Sequence, residues 1–555
     1  MEKPFSRADE LKALARLATP ILFSNLAMFG MSMAVLMAAG HLGSAQLTAV
    51  AYAQMLFDIT ILVFAAGFIF FSNLAMFGMS MTMLMVAGHL GSAQLTAVAY
   101  AQMLFDITIL IFASGFIVGQ ATLSAQAYGA KNLVLIGRYC QMNCLCVTLA
   151  CVPIGALWWF AGDILRLAGI SHETAAYAAQ YAHYSTPWLL PRLLFQVLSV
   201  YFKSMQNVMP AAVFAVLFTI LNAGLSVALA HGVPAIGLRS FGLAGAAASM
   251  TFTHYARTLS FAFYMFQHRQ LHATSWSWDR SFLNVKQYFV PMAKVGGPMI
   301  IGQFVETLQL QTMSIFAAMT SEVALGANNS MMELIFFLTS PIYGMIDGGS
   351  TRMGMHLGAG HAQAAKATSL LVLAGIVTLS IGIVVPWFCA RNVIGHLFST
   401  DAHVIATMTS ISTLAAVGYI IMSLFYYAMA TLQAQARTLP IMGSFLIGAW
   451  VVGVPGAYIF GFPVEMGLLG IWIGMAVGYL VTTILGVYFT CTSNWEKEAK
   501  KAAARCKARG GDDTEFVVIE IAPKSTQTRL PMLVIEESVK GMDFPTPNIV
   551  RYEHS

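Results

Sequence analysis

Long apolar segments separated by short polar turns recur along most of the chain. Most contain about 20 residues or more, which is the length an α-helix needs to cross a hydrocarbon core of about 30 Å. Strands of a membrane β-barrel would alternate polar and apolar residues over about 10 positions, and these segments do not. The pattern therefore predicts an all-α integral membrane protein. Beyond an N-terminal repeat, the predicted spans are 138–160, 177–202, 210–231, 241–266, 292–318, 324–347, 367–388, 404–431, 438–460 and 467–491.

The N-terminal apolar region contains a tandem repeat. Residues 23–69 match residues 71–117 at a shift of 48, with five mismatches. Each copy consists of an apolar helix, an "AGHLGSAQ" turn and a second apolar helix, so the repeated unit is one helical hairpin. Two interpretations stay open: an extra peripheral hairpin, or a duplicated exon or assembly error in the sequence. A peptide that crosses Phe70 and Phe71 in mass spectra would support the first interpretation, and its consistent absence would support the second.

A weaker repeat relates the two halves of the chain. "GLAG" at 242–245 recurs as "GLLG" at 467–470, and Pro210 in "QNVMP" recurs as Pro440 in "ARTLP". These and other landmarks share a shift near 230 residues once one copy of the hairpin is removed. The repeat predicts two six-helix bundles related by a pseudo-two-fold axis, with 12 transmembrane helices. The duplicated hairpin raises the predicted total to about 14.

The repeats and a change in composition divide the chain into five predicted parts. The tail begins with a basic amphipathic helix, "NWEKEAKKAAARCKARGG", that can lie at the membrane surface, and continues as a largely disordered polar segment. The parts are the N-terminus with the first hairpin copy (1–70), the second copy with the rest of the N-terminal bundle (71–266), a cytoplasmic linker (267–291), the C-terminal bundle (292–491) and a cytoplasmic tail (492–555).

Composition and charge agree with this topology. Only 10% of residues are charged, whereas a soluble domain usually carries about 25%. With a cytoplasmic N-terminus, fourteen Lys and Arg fall on that side before the tail, and three, Arg166, Arg239 and Arg391, fall on the other. This asymmetry follows the positive-inside rule and predicts that both termini are cytoplasmic. We expect a monomer in a lipid bilayer, and the net charge of +5 requires no nucleic-acid partner.

The sequence carries no motif that predicts an enzyme. It contains no phosphate-binding loop, no metal-ligand cluster and no paired nucleophile and base. Four of the seven cysteines fall between residues 140 and 151, where no His or carboxylate is interleaved, so buried thiols are favoured over a metal site. We expect no cofactor; any transported coupling ion would be H⁺ or Na⁺.

Four short motifs occur in an order that resembles one family. They are "QAYGAKN" (126–132), "STRMGMHLGAG" (350–360), "MGLLGIWIGMAVG" (466–478) and "TSNWEKEAKKA" (492–502). On two six-helix halves this set resembles the multidrug and toxic compound extrusion (MATE) family, especially its eukaryotic branch, over about residues 11–500. The resemblance implies a secondary active antiporter. Its substrates would be small organic cations, drugs or metabolites, exported for H⁺ or Na⁺ across the plasma membrane or a vacuole-like organelle membrane.

Glu306 is the leading candidate for coupling. Inserting an ionisable group at membrane depth costs several kcal/mol, so such a residue is expected where it has a function. The MATE resemblance places an acidic residue eight positions after a proline of the seventh ancestral helix, here Pro298. Gln311 stands where eukaryotic members often carry a second Glu, so it can contact substrate but holds no charge. The bacterial branch carries Asp in its first and tenth helices, and both are replaced here, the second by about Met422. These losses favour H⁺ coupling. The alternative role for Glu306 is a structural hydrogen bond.

Further polar residues in the predicted spans are candidates for a substrate cavity, each with helix packing or near-surface placement as the alternative. Asp58 and Asp106 occupy equivalent positions in the two hairpin copies, and Asn25 and Asn73 form a second such pair. For His254 the functional alternative is a proton relay. The full candidate set is Asp106, Asp58, Gln311, Glu333, Gln120, Asn73, Asn25, Arg192 and His254.

Three further charged residues have structural expectations. Arg192 follows Pro187 and Pro191, which predict a kink; it either binds a carbonyl freed by the kink or pairs with a cavity acid. Arg257 is expected to extend to the nearer membrane face. Asp347 is expected to precede a "GGSTR" loop at the interface between membrane and water.

Two other functions fit the same architecture. A flippase for lipid-linked oligosaccharides would need a lateral groove and a strongly cationic cavity, and the scarcity of Arg and Lys in the spans argues against it. The other is a protein that exchanges no substrate: a receptor, a scaffold or a paralogue inactivated by the duplicated hairpin. Counterflow in proteoliposomes separates a transporter from a scaffold.

Overall fold

The structure is a computed structural model that describes residues 92–109, 113–167, 171–207, 209–233, 239–270, 272–276, 280–398 and 402–507, with isolated positions 79, 83, 86, 87, 90 and 237. The first hairpin copy, with Asn25 and Asp58, lies outside the described residues, as do Asn73 and the tail beyond residue 507. Within the described ranges every regular element is a helix, which confirms the predicted all-α fold.

The described helices follow one another along the chain, and the longest interval between two of them, residues 264–288, separates α8 from α9. In the first half they are α1 (Ser92–Ile109), α2 (Gly115–Gly129), α3 (Leu133–Trp159), α4 (Ala161–Leu167), α5 (His172–Ser185), α6 (Leu189–Ser204), α7 (Met209–His231) and α8 (Gly242–Phe263). In the second half they are α9 (Phe289–Thr320), α10 (Glu322–Gly358), α11 (Ala362–Phe398), α12 (Ala402–Ala434), α13 (Leu439–Phe445), α14 (Val454–Gly461), α15 (Gly467–Cys491) and α16 (Trp495–Lys507). A π-helical stretch, Leu446–Gly453, joins α13 to α14.

Six of the described segments have the length and apolar composition that a membrane crossing needs. They agree with the multi-pass membrane topology expected from the sequence, while the total of 12 helices plus a hairpin stays a prediction. The six segments are Leu133–Trp159, Met209–His231, Ala362–His396, Ala402–Ala434, Leu439–Gly461 and Gly467–Cys491.

The α-helical pattern is interrupted where two prolines predict a kink. A single 3-10 turn, Thr186–Trp188, separates α5 from α6 and contains Pro187. Pro191 lies in the first turn of α6, where a missing N–H is tolerated because that donor has no intrahelical partner. The Pro191 carbonyl accepts a 2.7 Å hydrogen bond from Thr258 Oγ1 of α8. A threonine, rather than Arg192, therefore satisfies this carbonyl beside the 3-10 turn.

Helix α10 is longer than expected. The sequence analysis ends this span at residue 347 and predicts a glycine-containing loop, but the helix continues to Gly358. A β-carbon at Gly349 would collide with the Val372 side chain of α11, so this glycine permits close helix packing instead of forming a turn. The expectation that Asp347 precedes a loop is therefore wrong, because Asp347 lies within α10.

Buried apolar side chains of the described residues form two clusters. One contains residues from Met79 to Val295, together with Cys506. The other contains residues from Met299 to Ala502. We call α1–α8 the N-terminal lobe and α9–α15 the C-terminal lobe. Each lobe thus buries most of its own apolar side chains, and the start of α9, with Met292 and Val295, packs into the cluster of the N-terminal lobe.

Helix α2 of the N-terminal lobe packs against α9 and α10 of the C-terminal lobe. A β-carbon at Gly358 would overlap the backbone carbonyl of Gln126, so the two helices approach closely there. Gln126 Nε2 donates a 2.8 Å hydrogen bond to the Ala434 carbonyl of α12. An ion pair between Lys203 of α6 and Asp347 of α10 also joins the lobes. These contacts lie at the end that the charge pattern predicts to be cytoplasmic.

The predicted basic helix after the last span is confirmed as α16. Its buried face, which includes Ala499 and Ala502, packs against α10 and α11. Asn132 Nδ2 at the start of α3 donates a 2.9 Å hydrogen bond to the Cys506 carbonyl. Helix α16 is therefore attached to both lobes at the predicted cytoplasmic end.

Candidate functional site

Helices α9, α10, α12 and α15 surround a cavity within the C-terminal lobe that contains Glu306. Its lining is apolar and aromatic apart from the Glu306 carboxyl, the tyrosine hydroxyls and the indole N–H of Trp472. Glu306 supplies the one carboxylate among the lining residues. Lining side chains include Met332 of α10, Met422 and Tyr426 of α12, and Trp472 and Tyr479 of α15.

Two tyrosine hydroxyls converge on the same oxygen of Glu306. Tyr426 Oη lies 3.4 Å and Tyr479 Oη 3.5 Å from Glu306 Oε1. Tyr343 Oη of α10 lies 3.0 Å from Tyr426 Oη and extends this network. A tyrosine hydroxyl donates to a carboxylate and can accept from a protonated carboxyl. The network can therefore contact Glu306 in either protonation state.

Helical spacing explains how these side chains reach one cavity. Met422 and Tyr426 are four residues apart on α12, and Met475 and Tyr479 are four residues apart on α15. Residues at this spacing lie on the same face of a helix. Trp472 Nε1 donates a 3.1 Å hydrogen bond to Asn328 Oδ1 of α10, which fixes the indole at the cavity wall.

The cavity beside Glu306 is small. Its volume is about 40 Å³, which is room for a few water molecules. Sites for drug-sized ligands usually measure roughly 300–1,000 Å³. In this conformation the cavity has room for water beside the acid but not for a drug-sized ligand.

In the N-terminal lobe, the acid of the second hairpin copy lies beside an arginine. Asp106 Oδ1 is 3.7 Å from Arg192 Nη2. The Arg192 guanidinium also lies 5.1 Å from the centre of the Trp188 ring, which in turn stacks on His254 at 5.1 Å. Of the two roles expected for Arg192, the structure shows pairing with an acid.

Arg257 of α8 is fully buried, so the expectation that it extends to the membrane face is wrong. Its guanidinium lies 4.1 Å from the centre of the Phe195 ring, and Nη2 is 3.1 Å from His254 Nδ1. Phe195 of α6 provides an aromatic face inside the lobe, which offers the cation an alternative to the lipid headgroups. Because a guanidinium only donates, His254 Nδ1 must accept, and a neutral His254 carries its proton on Nε2.

The remaining candidates have different surroundings. Gln120 is buried and bridges helices of its own lobe: its Nε2 donates to the Val197 carbonyl at 3.2 Å, and its Oε1 accepts from Asn143 at 2.6 Å. Gln311 is exposed on α9 and is not among the residues that line the Glu306 cavity. The backbone of Glu333 lies in α10, and its side chain lies outside the described part of the structure.

Sequence reasoning found Glu306 but missed the tyrosines around it. Tyr343 and Tyr479 lie near the middle of long helices, and Tyr426 lies about two turns before the end of α12. A buried tyrosine usually needs a hydrogen-bond partner, so mid-span tyrosines were an available signal for a polar site. Their convergence on one acid depends on how α9, α10, α12 and α15 pack.

A multi-pass helical protein with two lobes and an acid that lines a cavity in one of them has the architecture of a membrane transporter. The sequence model of one family, MatE, matches residues 69–228 and again residues 298–459, which together make up more than half of the chain. The chain belongs to the MatE family of multidrug and toxin extrusion transporters and is not an enzyme. The resemblance seen in the sequence motifs is thereby confirmed.

Relatives and solved structures agree with this assignment. Multidrug and toxin extrusion protein 1 of Danio rerio is 25% identical over 503 residues, covering 90% of this chain and 75% of the relative. Protein DETOXIFICATION 14 of Arabidopsis thaliana is 27% identical over 409 residues, covering 71% and 79%. The crystal structure of the eukaryotic MATE transporter AtDTX14 matches with a TM-score of 0.69 at 21% identity, over 90% of this chain and 99% of that one. At this identity the structural match shows the fold alone.

The family match also bears on the duplicated hairpin. The two matched regions begin at residues 69 and 298, 229 residues apart, close to the shift of the weaker internal repeat. The first match begins beside the start of the second hairpin copy and leaves out nearly all of the first copy, 23–69. The second copy therefore belongs to the transporter half, and both interpretations of the first copy stay open.

Proposed function

We propose that this protein is a secondary active antiporter that exports small organic cations or related metabolites in exchange for H⁺, with Na⁺ as the alternative coupling ion. Membership of the extrusion family supports the substrate class. The observation that carries the mechanism is the half-buried Glu306 carboxyl, which is surrounded by apolar and tyrosine side chains without a basic residue in the cavity lining. Glu306 is the residue that binds and releases the coupling ion.

An unpaired carboxylate in apolar surroundings is costly, because it has lost water and gained no counter-ion. A proton removes this cost by neutralising the acid, and a cationic substrate removes it by supplying the opposite charge. The two occupants exclude each other at one carboxyl group. Tyr426 and Tyr479, 3.4 and 3.5 Å from Glu306 Oε1, orient the acid for either occupant.

The lobe contacts define what must change during transport. Opening toward the predicted cytoplasmic side has to separate α2 from α9 and α10 and break the Lys203–Asp347 ion pair and the Gln126–Ala434 hydrogen bond. A ligand shifts such an equilibrium only through its different affinity for the two states. Protonated and substrate-bound Glu306 would therefore favour different openings of the same protein.

Proton coupling is favoured over sodium coupling by the chemistry of the cavity. A sodium site would gather several oxygen ligands around the ion. The lining of the Glu306 cavity offers one carboxylate and tyrosine hydroxyls. A proton needs only the carboxyl itself.

The test is uptake of a fluorescent organic cation into proteoliposomes under separately imposed proton and sodium gradients. We expect the proton gradient to drive uptake by the wild-type protein and Glu306→Gln to reduce that uptake at least 50-fold. Glu465→Gln removes an exposed carboxylate of the same lobe that lies outside the cavity, and this control should transport normally. Wild-type uptake by Glu306→Gln would remove Glu306 from the mechanism, and uptake driven by sodium alone would replace H⁺ with Na⁺.

A lipid-linked oligosaccharide flippase is less favoured. Such a protein would need basic side chains available to an anionic cargo. In the N-terminal lobe the half-buried Arg192 lies beside Asp106, and the buried Arg257 is enclosed against Phe195 and His254. Counterflow of a labelled organic cation would support the antiporter, whereas its complete absence in folded protein would favour a flippase or a scaffold.

A further inference from the structure

A second cavity lies at the predicted cytoplasmic end, away from Glu306. It has a volume of about 760 Å³, within the usual range for sites that bind small organic ligands. Its walls come from α2, the start of α9, the turn between α12 and α13, and α16. The cavity therefore adjoins both lobes and the basic helix.

Four basic side chains and no acidic ones line this cavity. They are Lys286, Lys294, Arg437 and Arg505. Four like charges around one space repel each other and create a positive potential that attracts an anion. Neither Lys286 nor Lys294 forms an ion pair or side-chain hydrogen bond with a described residue. An anionic ligand would offset this repulsion.

The two arginines are held in place by neighbouring groups. Arg437 Nη1 donates a 2.5 Å hydrogen bond to Ser493 Oγ, and Ser493 Oγ donates to Gln435 Oε1 at 3.0 Å. Arg505 Nη2 of α16 donates to the Gln435 carbonyl at 3.4 Å. The turn after α12 and helix α16 thus position two guanidinium groups at one cavity. Guanidinium groups suit phosphate because their donors form a planar fork.

Apolar side chains supply the rest of the lining. Leu123, Val295 and Pro298 come from α2 and α9, and Leu439 and Pro440 come from the start of α13. Leu439 is 63% exposed at the start of a membrane-spanning segment. Basic groups next to an exposed apolar wall match a ligand with an anionic head and an apolar tail. Basic pockets between transmembrane helices on the cytoplasmic side bind anionic lipid headgroups in this way.

We propose that this cavity binds a phosphate-bearing anion, with the headgroup of an anionic phospholipid in the cytoplasmic leaflet as its source. The phosphate contacts the lysines and arginines, and the acyl chains leave past Leu439. Because Leu123 belongs to the N-terminal lobe and Lys294 and Leu439 to the C-terminal lobe, the bound lipid stabilises the arrangement in which the lobes meet here. This proposal does not depend on the role of Glu306.

The experiment uses the full-length protein in neutral detergent and measures its melting temperature with short-chain phosphatidylglycerol, short-chain phosphatidylcholine or inorganic phosphate. We expect phosphatidylglycerol to raise the melting temperature and phosphatidylcholine to have little effect. The double variant Lys286→Ala/Lys294→Ala should weaken the apparent affinity for phosphatidylglycerol at least fivefold. Lys497→Ala/Lys500→Ala is the matched control, because it removes two exposed lysines of α16 that do not line the cavity.

Native mass spectrometry of the same samples counts bound lipids, so a variant with a lower melting temperature still gives a readout. Equal stabilisation by inorganic phosphate, lost in the cavity double variant, supports the anion site and assigns it to a soluble phosphate. Overturning results are an unchanged phosphatidylglycerol affinity in the cavity double variant or an equal loss in the control.

Discussion

In the C-terminal lobe, Glu306 meets tyrosine hydroxyls and apolar side chains, whereas in the N-terminal lobe Asp106 lies 3.7 Å from Arg192. The two lobes have similar helical plans but place acids in opposite surroundings. An acid beside a fixed cation has its counter-charge built in, so neither a proton nor a cargo cation gains much by binding to it. An acid without a cation gains from either. Under the proposed mechanism, the partners of each acid, rather than its presence in a span, distinguish Glu306 from Asp106 as the coupling residue.

The aromatic side chains differ between the lobes in the same sense. In the N-terminal lobe, Phe105 and Trp158 stack with their ring centres 3.7 Å apart, and Trp188 packs against both rings. In the C-terminal lobe, the aromatic side chains at Glu306 present hydroxyl groups to an acid. Packing dominates the first set and hydrogen bonding the second, and substitutions should separate these roles.

The largest effect on stability should come from Trp188→Ala. Trp188 is 1% exposed and contacts the rings of Phe105, Trp158 and His254. Deleting a buried aromatic side chain leaves a cavity and costs about 3–5 kcal/mol. We expect a clear fall in the melting temperature of the purified protein. Trp159→Ala removes a neighbouring indole that is 53% exposed, so it should lower the melting temperature less. An equal decrease in the two variants would contradict a packed aromatic core around Trp188.

A smaller loss of stability is expected from Asp106→Asn. The change removes one partner of the pair with Arg192, and partly exposed ion pairs contribute up to about 1 kcal/mol. Organic-cation transport should stay within threefold of wild type, because Asp106 is already paired. A double-mutant cycle with Arg192→Gln measures the coupling between the two side chains. Loss of transport as complete as in Glu306→Gln would show that both lobes carry coupling acids. That result would contradict the contrast between the two lobes.

The smallest change in free energy is expected from Tyr426→Phe and Tyr479→Phe, and it concerns binding of the organic cation. Each change keeps the ring and removes a hydroxyl at 3.4 or 3.5 Å from Glu306, near the limit of a hydrogen bond. A loss of about 0.5 kcal/mol corresponds to a two- to threefold rise in KM for the organic cation. Tyr458→Phe, on an exposed tyrosine of the same lobe, is the control and should leave KM unchanged. An unchanged KM in both cavity variants would exclude these hydroxyls from the site.

The sequence predicted the all-helical fold, the family and the helix after the last span, whereas the coupling role of Glu306 stays a prediction. The confirmed predictions rest on local signals: the length of the apolar segments, short motifs and the change in composition after the last span. The wrong predictions depended on neighbouring helices. Arg257 is buried because Phe195 of α6 lies against it, and α10 continues past Gly349 because α11 packs there. The partners of Glu306 come from helices far apart in the chain.

The most direct test of the central claim is proton release on substrate binding. Detergent-purified protein in weakly buffered solution, at a pH where Glu306 is protonated, is mixed with saturating organic cation while a pH indicator is recorded. If proton and substrate exclude each other at Glu306, wild-type protein should release about one proton per molecule and Glu306→Gln none. Substrate binding by the wild-type protein without proton release, or the same release from Glu306→Gln, would contradict the account.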